Sequence, residues 1–329
     1  MKYLIIGCGS ISRMHAQALQ RMGEEIAICD PIPQNLAATG EQFGIAERYT
    51  SYEEAFANTA FDAVIVCTPN HLHEAPSVYA MEHGADVLCE KPIAANAAAG
   101  RRMMEAAERC GRKLFVGYPL RFYPALPYVR EILGGGSLGK IISVRAILAA
   151  PETLDFARTT YRKSYETGGG IIYDYTHEID YLRYFFGEPL CGACFAESTL
   201  KADRTVDDNA EVMMKLENGM TATVHFDYIQ ERGRARGRSF EVVAEKGFLS
   251  CDFASVQVRY YDGNDLDHVF SKEERVQSFI REHTAFQQCV KGGGDPDLAT
   301  AFDGVRALEI ADELYRSSRE GVMVRLAPQ

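Results

Sequence analysis

The chain lacks any apolar run close to the roughly 20 residues that a membrane-spanning helix needs, so no membrane association is expected. It also lacks a basic surplus. With 35 Lys and Arg against 46 Asp and Glu the formal net charge is -11, which leaves nothing over to neutralise phosphates, and no nucleic-acid partner is expected. The opening residues 1–6 are too short for a signal peptide and read as a first strand. Nine cysteines without regular spacing then suit reduced thiols in a cytoplasmic protein, with no zinc site. Internal repeats and low-complexity segments are missing as well. What remains is 329 residues, 47% hydrophobic and 25% charged: an ordinary globular composition at a length that suits two domains.

The two halves differ in rhythm. Up to about residue 118, short β-rich runs at 3–6, 26–29, 63–67, 86–89 and 113–116 alternate with amphipathic stretches at 11–22, 33–43, 71–83 and 96–110. Near-continuous apolar strands separated by helices predict a parallel sheet covered on both faces, the doubly wound α/β arrangement of a Rossmann domain. Asn96, ahead of a run of alanines, is a good N-cap for the last helix. From 119 to 329 the pattern predicts an α+β domain with a large, mostly antiparallel open sheet. Strands are expected at 140–149, 190–200, 210–217, 220–228, 239–244 and 256–261, with a helix near 124–133. Glu217-Asn218-Gly219 is a hairpin turn between two of them. Helical periodicity returns from Thr284, with a helix expected at 299–316.

The first strand runs straight into Gly7-Cys8-Gly9-Ser10-Ile11-Ser12 and then a helix. Dinucleotide sites need this strand, glycine turn and helix. Gly7 permits the tight turn, Gly9 admits the pyrophosphate, and the helix start at Ser10 and Ile11 offers unpaired N–H groups to the anion. Ser12 stands where a third Gly or Ala is usual. Asp30, about 20 residues on at the end of the second strand, is placed to accept from the adenosine ribose and to repel a 2′-phosphate, which favours NAD over NADP. A solvated turn at Asp30-Pro31 is the plain alternative.

Further segments follow the later strands: Cys67-Thr68-Pro69-Asn70-His71-Leu72-His73, Glu90-Lys91-Pro92, and Gly117-Tyr118-Pro119-Leu120-Arg121-Phe122. Beyond them come Tyr161-Arg162-Lys163-Ser164-Tyr165 and the run from Gly168 through Asp174, His177 and Asp180 to Tyr181. In this order, over most of the chain, they resemble the Gfo/Idh/MocA family of glucose–fructose oxidoreductase and inositol dehydrogenase. The resemblance implies a nicotinamide cofactor held in part by Thr68, Pro69, Asn70, His73 and Glu90. It makes Lys91 the cleft lysine, near substrate hydroxyl and nicotinamide ribose, and implies a cis peptide before Pro92. It points to His177 as the acid/base, and an imidazole pKa near 6.5 suits a reversible proton shuttle.

If one helix ran from Asp174 to Asp180, its spacing of three would set Asp174, His177 and Asp180 on one face, with Tyr181 and Tyr184 continuing the stripe. Many relatives place the Asp four residues before this histidine; here the interval is three. Arg121, Tyr161, Arg162 and Tyr165 suit a hydroxyl-rich substrate carrying an anion, although each one singly also reads as a surface arginine or core tyrosine. His15 reads as structural, and an exposed loop lysine remains the alternative for Lys91. The implied function is hydride transfer on a sugar, sugar derivative or cyclitol, and the broad sheet face of the second domain, without obvious helices on one side, predicts a homodimer or homotetramer packed through it. An NAD-dependent glycosidase or a non-catalytic nucleotide sensor of the same fold stands as the alternative.

Overall fold

The computed structural model describes residues 1–149, 164–199, 206–228, 237–271 and 275–326. Two compact units emerge, one from Met1–Phe122 with Glu274–Val305 and the other from Tyr123–Glu273 with Arg306–Gln329. The break after Phe122 falls four residues from the expected cut at 118, and a late segment, Glu274–Val305, groups with the first unit.

The first unit holds a parallel sheet of β1 (Lys2–Ile6), β2 (Glu25–Cys29), β3 (Arg48–Tyr49), β4 (Ala63–Val66), β5 (Asp86–Glu90) and β6 (Leu114–Gly117), in the order β3-β2-β1-β4-β5-β6. All five expected strands are present. The two-residue β3 and the helix Tyr52–Asn58 behind it were not expected. β4 and β5 are buried at every residue, as a sheet covered on both faces requires. The helix Pro33–Phe43 has the expected bounds, and Asn96 Oδ1 accepts from Ala99 N at 3.0 Å to cap Ala97–Cys110. The stretch expected as a helix at 71–83 divides into a 3-10 turn at Asn70–Leu72 and a helix at Glu74–Glu82.

The returning segment is the helix Val276–Val290, which begins eight residues before the expected Thr284. Its apolar face (Phe279, Ala285, Phe286, Cys289) packs with Ala16, Ala18 and Leu19 of the helix Ser10–Arg21 and with strand residues Tyr3 and Ile5. That burial explains why contiguous chain does not make the unit.

Among the described residues the second unit holds nine strands: β7 (Ile141–Ala149), β8 (Pro189–Glu197), β9 (Asn209–Leu216), β10 (Thr221–Asp227), β11 (Gly237–Ala244), β12 (Gly247–Cys251), β13 (Ser255–Tyr260), β14 (Leu266–Val269) and β15 (Val324–Arg325). Their order is β14-β13-β12-β11-β7-β10-β9-β8-β15. Only β7 and β10 pair in parallel; the other neighbours are antiparallel. The hairpin at Glu217–Gly219 forms as expected, with Gly219 at φ 84°. Alternation along the strands buries Val212, Met214 and Leu216, Ala222, Val224 and Phe226, and Phe240 and Val242 on one face. On that side the helix Ala301–Glu320 braces β8, Ser317 Oγ and Ser318 Oγ accepting from Cys194 N and Ala196 N at 3.0 and 2.8 Å. Cys191 and Cys194 carry a Cys-x-x-Cys spacing, but they lie in β8, where residues three apart face opposite sides.

Among the described residues no helix is long and apolar enough to cross a membrane.

Candidate functional site

Gly7 sits at φ 96°, and a Cβ there would come within 2.8 Å of the backbone of Cys67 and Thr68. The turn after β1 therefore lies directly against the turn after β4, and only glycine fits. At Gly9 nothing stands within 4 Å of where a Cβ would be, so this backbone faces open space. The helix Ser10–Arg21 starts at Gly9 with no side-chain cap and no acidic residue in its first turn. Its first N–H groups and its positive dipole end are left for an anion. Ser12, fully buried, donates from Oγ to the Gly9 carbonyl at 2.7 Å. The small hydroxyl thus occupies the third glycine position without strain and ties the turn together.

Asp30 is buried, and its carboxylate accepts from Cys8 N at 2.7 Å and from Ile32 N at 2.8 Å. It is no solvated turn residue. One oxygen fixes the glycine turn and the other its own loop, and each keeps a further lone pair.

These loops surround a cavity of about 730 Å³ lined by Gly7, Cys29, Pro31, Thr50–Tyr52, Thr68, Leu72 and Tyr79 among others. It lies at the carboxyl ends of the strands where the order reverses between β1 and β4, which is where open α/β sheets bind ligands. Thr68 Oγ1, on its wall, is buried without a hydrogen-bond partner. An orphaned hydroxyl, an open backbone at Gly9 and an uncapped helix start together fit a dinucleotide. The Thr50–Tyr52 wall escaped the sequence reading. Its signal was the capping box Ser51-x-x-Glu54, in which Ser51 Oγ accepts from Glu54 N at 3.1 Å.

Asn70 is buried beside Pro69, and its Oδ1 accepts from His71 N at 3.1 Å. His73 joins two loops: its ring nitrogens lie 2.8 Å from the Thr68 carbonyl and 3.0 Å from that of Pro92. Burial pushes its pKa below the usual histidine range. A neutral ring carries one N–H and so donates to only one of the two carbonyls, but both of its nitrogens face backbone. The Lys91-Pro92 bond is cis, as expected. Glu90 Oε2 accepts from Lys91 N at 3.1 Å and Oε1 meets His15 Nε2 at 2.9 Å, so the glutamate faces protein on both oxygens. Arg121 is buried and pairs at 3.6 Å with Asp303. Asp303 also accepts from Thr300 N, capping the helix Ala301–Glu320.

The second unit holds the other expected residues. His177 is the second residue of the helix Thr176–Phe186 and half-buried. The single helix expected from Asp174 to Asp180 does not form. A short helix Ile171–Asp174 ends at Tyr175, whose φ -113° and ψ 47° break the path before the next begins. Asp174 therefore does not share a helical face with His177, and its Oδ2 accepts from Tyr228 OH at 2.7 Å. Asp180 stays on the helix of His177, three residues on and buried. Tyr181 turns inward against Phe240 and Phe253.

Tyr165, expected to touch substrate, donates to Asp207 Oδ1 at 2.8 Å and accepts from Asp207 N at 3.1 Å. Tyr161 and Arg162 lie outside the described residues. Sequence reading missed Glu178, which is fully buried and ion-paired to Arg238.

Residues 1–118 match a family model described as the oxidoreductase family with an NAD-binding Rossmann fold, and residues 127–250 match the GFO/IDH/MocA C-terminal domain. The chain is 26% identical to a myo-inositol 2-dehydrogenase of Thermotoga maritima, over 99% of this chain and 98% of that protein. It is 27% identical to a 1,5-anhydro-D-fructose reductase of Ensifer adhaerens, over 96% of each. A solved levoglucosan dehydrogenase in complex with NADH superposes with a TM-score of 0.90, covering 100% of both chains at 21% identity.

Proposed function

Because the chain belongs to the Gfo/Idh/MocA oxidoreductase family through both of its domains, we propose that it oxidises a secondary hydroxyl, or reduces the matching ketone, on a sugar, sugar derivative or cyclitol. The cavity at the strand-order reversal, with its orphaned Thr68 hydroxyl, carries this reading. Ring polyols and their ketones are what the named relatives handle: myo-inositol, 1,5-anhydro-D-fructose and levoglucosan. Bound NAD supplies the hydride acceptor. Asp30 sets a buried carboxylate at the adenosine end and disfavours a 2′-phosphate.

We assign the remaining chemistry to two side chains. His177 takes the hydroxyl proton as the carbon loses hydride, and returns it in the reverse direction. Lys91 offers an ammonium to the oxygen as negative charge builds there. Asp180, one helical turn from His177 on the same helix, is the carboxylate we assign to orient it, and Asp174 Oδ2 accepts from Tyr228 OH. Nine free thiols, most of them buried, favour the reducing cytoplasm. The outer face of the second sheet, bearing Phe195 and Met213, favours a homo-oligomer.

The test measures NADH formation over a panel of cyclitols and pyranoses for the wild type, Lys91→Ala and His177→Ala. Each variant is expected to lose at least about 100-fold in kcat, a typical acid/base or electrostatic contribution, while NADH affinity by fluorescence titration is kept. Full turnover in either variant would remove that residue from its role. Sugar released from a glycoside without NADH accumulation would instead identify a glycosidase. Tight nucleotide binding with no turnover on any substrate would identify a sensor.

A further inference from the structure

Two histidines lie buried behind the Glu90-Lys91-Pro92 loop, where the mechanism does not use them. His15, on the helix Ser10–Arg21, and His283, on the returning helix Val276–Val290, are both fully buried. His15 Nδ1 lies 2.9 Å from His283 Nε2, and His15 Nε2 lies 2.9 Å from Glu90 Oε1. The second Glu90 oxygen accepts from Lys91 N at 3.1 Å. Aromatic rings wall the pair in: Phe279 meets His15 edge-on at 5.0 Å, and Tyr3 meets His283 edge-on at 6.1 Å. Gly117 leaves room for the carboxylate, since a Cβ there would press on Glu90 Oε1 at 3.2 Å.

The protons in this row have one satisfactory arrangement. His283 Nδ1 is buried with no hydrogen-bond partner, and a proton placed there would be a buried donor with nothing to accept it. Burial and the neighbouring His15 hold the His283 pKa well below the usual histidine range, so this ring carries a single proton. That proton sits on Nε2 and is donated to His15 Nδ1. His15 Nδ1 must then be a bare acceptor, which leaves the His15 proton on Nε2, donated to Glu90 Oε1. Every link points the same way, from His283 through His15 to the carboxylate. A glutamate alone would keep two rotatable bonds next to its carboxyl; held at Oε1 by a ring that is itself oriented, it presents Oε2 to Lys91 N.

We propose that His283, His15 and Glu90 form a one-directional hydrogen-bond relay that fixes the backbone at Lys91, so that His15 and His283 are positioning residues for the lysine. None of the three reaches reacting atoms through this chain. Its effect on turnover rests on the role given to Lys91 above, but its existence does not, and the two are tested apart.

Protein grown with 15N-histidine has eight histidines to resolve, and long-range 1H–15N spectra report which ring nitrogen carries the proton. The expected result is His15 and His283 both neutral and protonated on Nε2. A proton on Nδ1 of either ring, or an imidazolium at neutral pH, overturns the relay whatever the activity. Kinetics then test its purpose. His283→Met removes the donor, and His283→Gln keeps a side-chain N–H able to reach His15 Nδ1. We expect His283→Met to lower kcat by roughly 10- to 100-fold, the size of loss that follows a small misplacement, with NADH affinity unchanged and most of kcat regained in His283→Gln. An unchanged kcat in His283→Met, or an equal loss of kcat and nucleotide affinity that Gln does not restore, overturns the positioning role. A wild type that binds NADH yet oxidises no polyol defeats the dehydrogenase reading alone, and the spectra still decide the relay.

Discussion

Asp30 illustrates what a single position does here. Sequence spacing assigns it to the ribose, and the structure adds a second duty, since its carboxylate holds Cys8 N and Ile32 N. Removing it should therefore do more than relax the choice between NAD and NADP. Asp30→Ala leaves the Cys8 N–H, next to Gly9, without its acceptor, at a cost of about 1–3 kcal/mol for a buried donor. The expected outcome is a lower melting temperature and weaker binding of both NADH and NADPH. A variant as stable as the wild type that gains NADPH affinity would show that Asp30 acts on the 2′ position alone. The glycines were legible because their requirement is backbone geometry next to a strand, which spacing exposes. The bonds of Asp30 to backbone N–H groups were not, because no side-chain pattern marks such an acceptor. The same holds for Tyr165, whose hydroxyl donates to Asp207, a bond that no spacing in the sequence marks.

At the scale of elements, Asp207 joins three pieces of the second unit. It accepts from Tyr165 at the start of the turn Tyr165–Thr167, from Ile171 N at the start of the helix Ile171–Asp174, and from Tyr315 on the helix Ala301–Glu320. Burial raises its pKa from 3.8 to about 6, against the opposing pull of these hydrogen bonds. The folded state thus binds the proton more tightly than the unfolded chain. The associated stability is full below about pH 4 and is lost as pH rises through about 6. A shift of this size corresponds to about 3 kcal/mol. In urea melts, the stability of wild type relative to Asp207→Asn should fall by an amount of that order between pH 4 and pH 7. A difference that grows with pH would mean that the folded carboxyl is ionised and favoured.

How much of each element could be read follows from burial. β1, β2, β4, β5 and β6 form nearly continuous apolar runs, and each was placed within a residue or two. β14 is exposed at every residue and gave no alternation to find. The break at Tyr175 has no glycine or proline to announce it, so periodicity ran straight through. Val276–Val290 starts at Arg275 without a side-chain cap, and its first two turns carried no start signal.

For the whole molecule, the second sheet poses the remaining question. Its inner face is covered by helices of the same unit, while its outer face carries Phe195 and Met213, 68% and 58% exposed, with Val243 and Phe248. Phe195 pairs with Glu211, and Met213 with Ala193, so the two large apolar side chains stand diagonally across β8 and β9 on the same face. A broad sheet face with apolar side chains set among Lys215, Glu211 and Arg145 has the mixed character of a protein–protein interface, and a monomer would leave it in water. We propose a second copy as the cover, because one face can pair with itself about a two-fold axis. The same acidic chain, at net charge -11, would repel its copy at long range, so such a contact would rest on apolar burial and strengthen as salt screens the repulsion. Light scattering at micromolar concentration is expected to give a dimer or tetramer for the wild type, and a monomer that still binds NADH for the double variant F195D/M213D. A wild type that is monomeric at every salt concentration, or a double variant of unchanged mass, would place the subunit contact elsewhere or remove it.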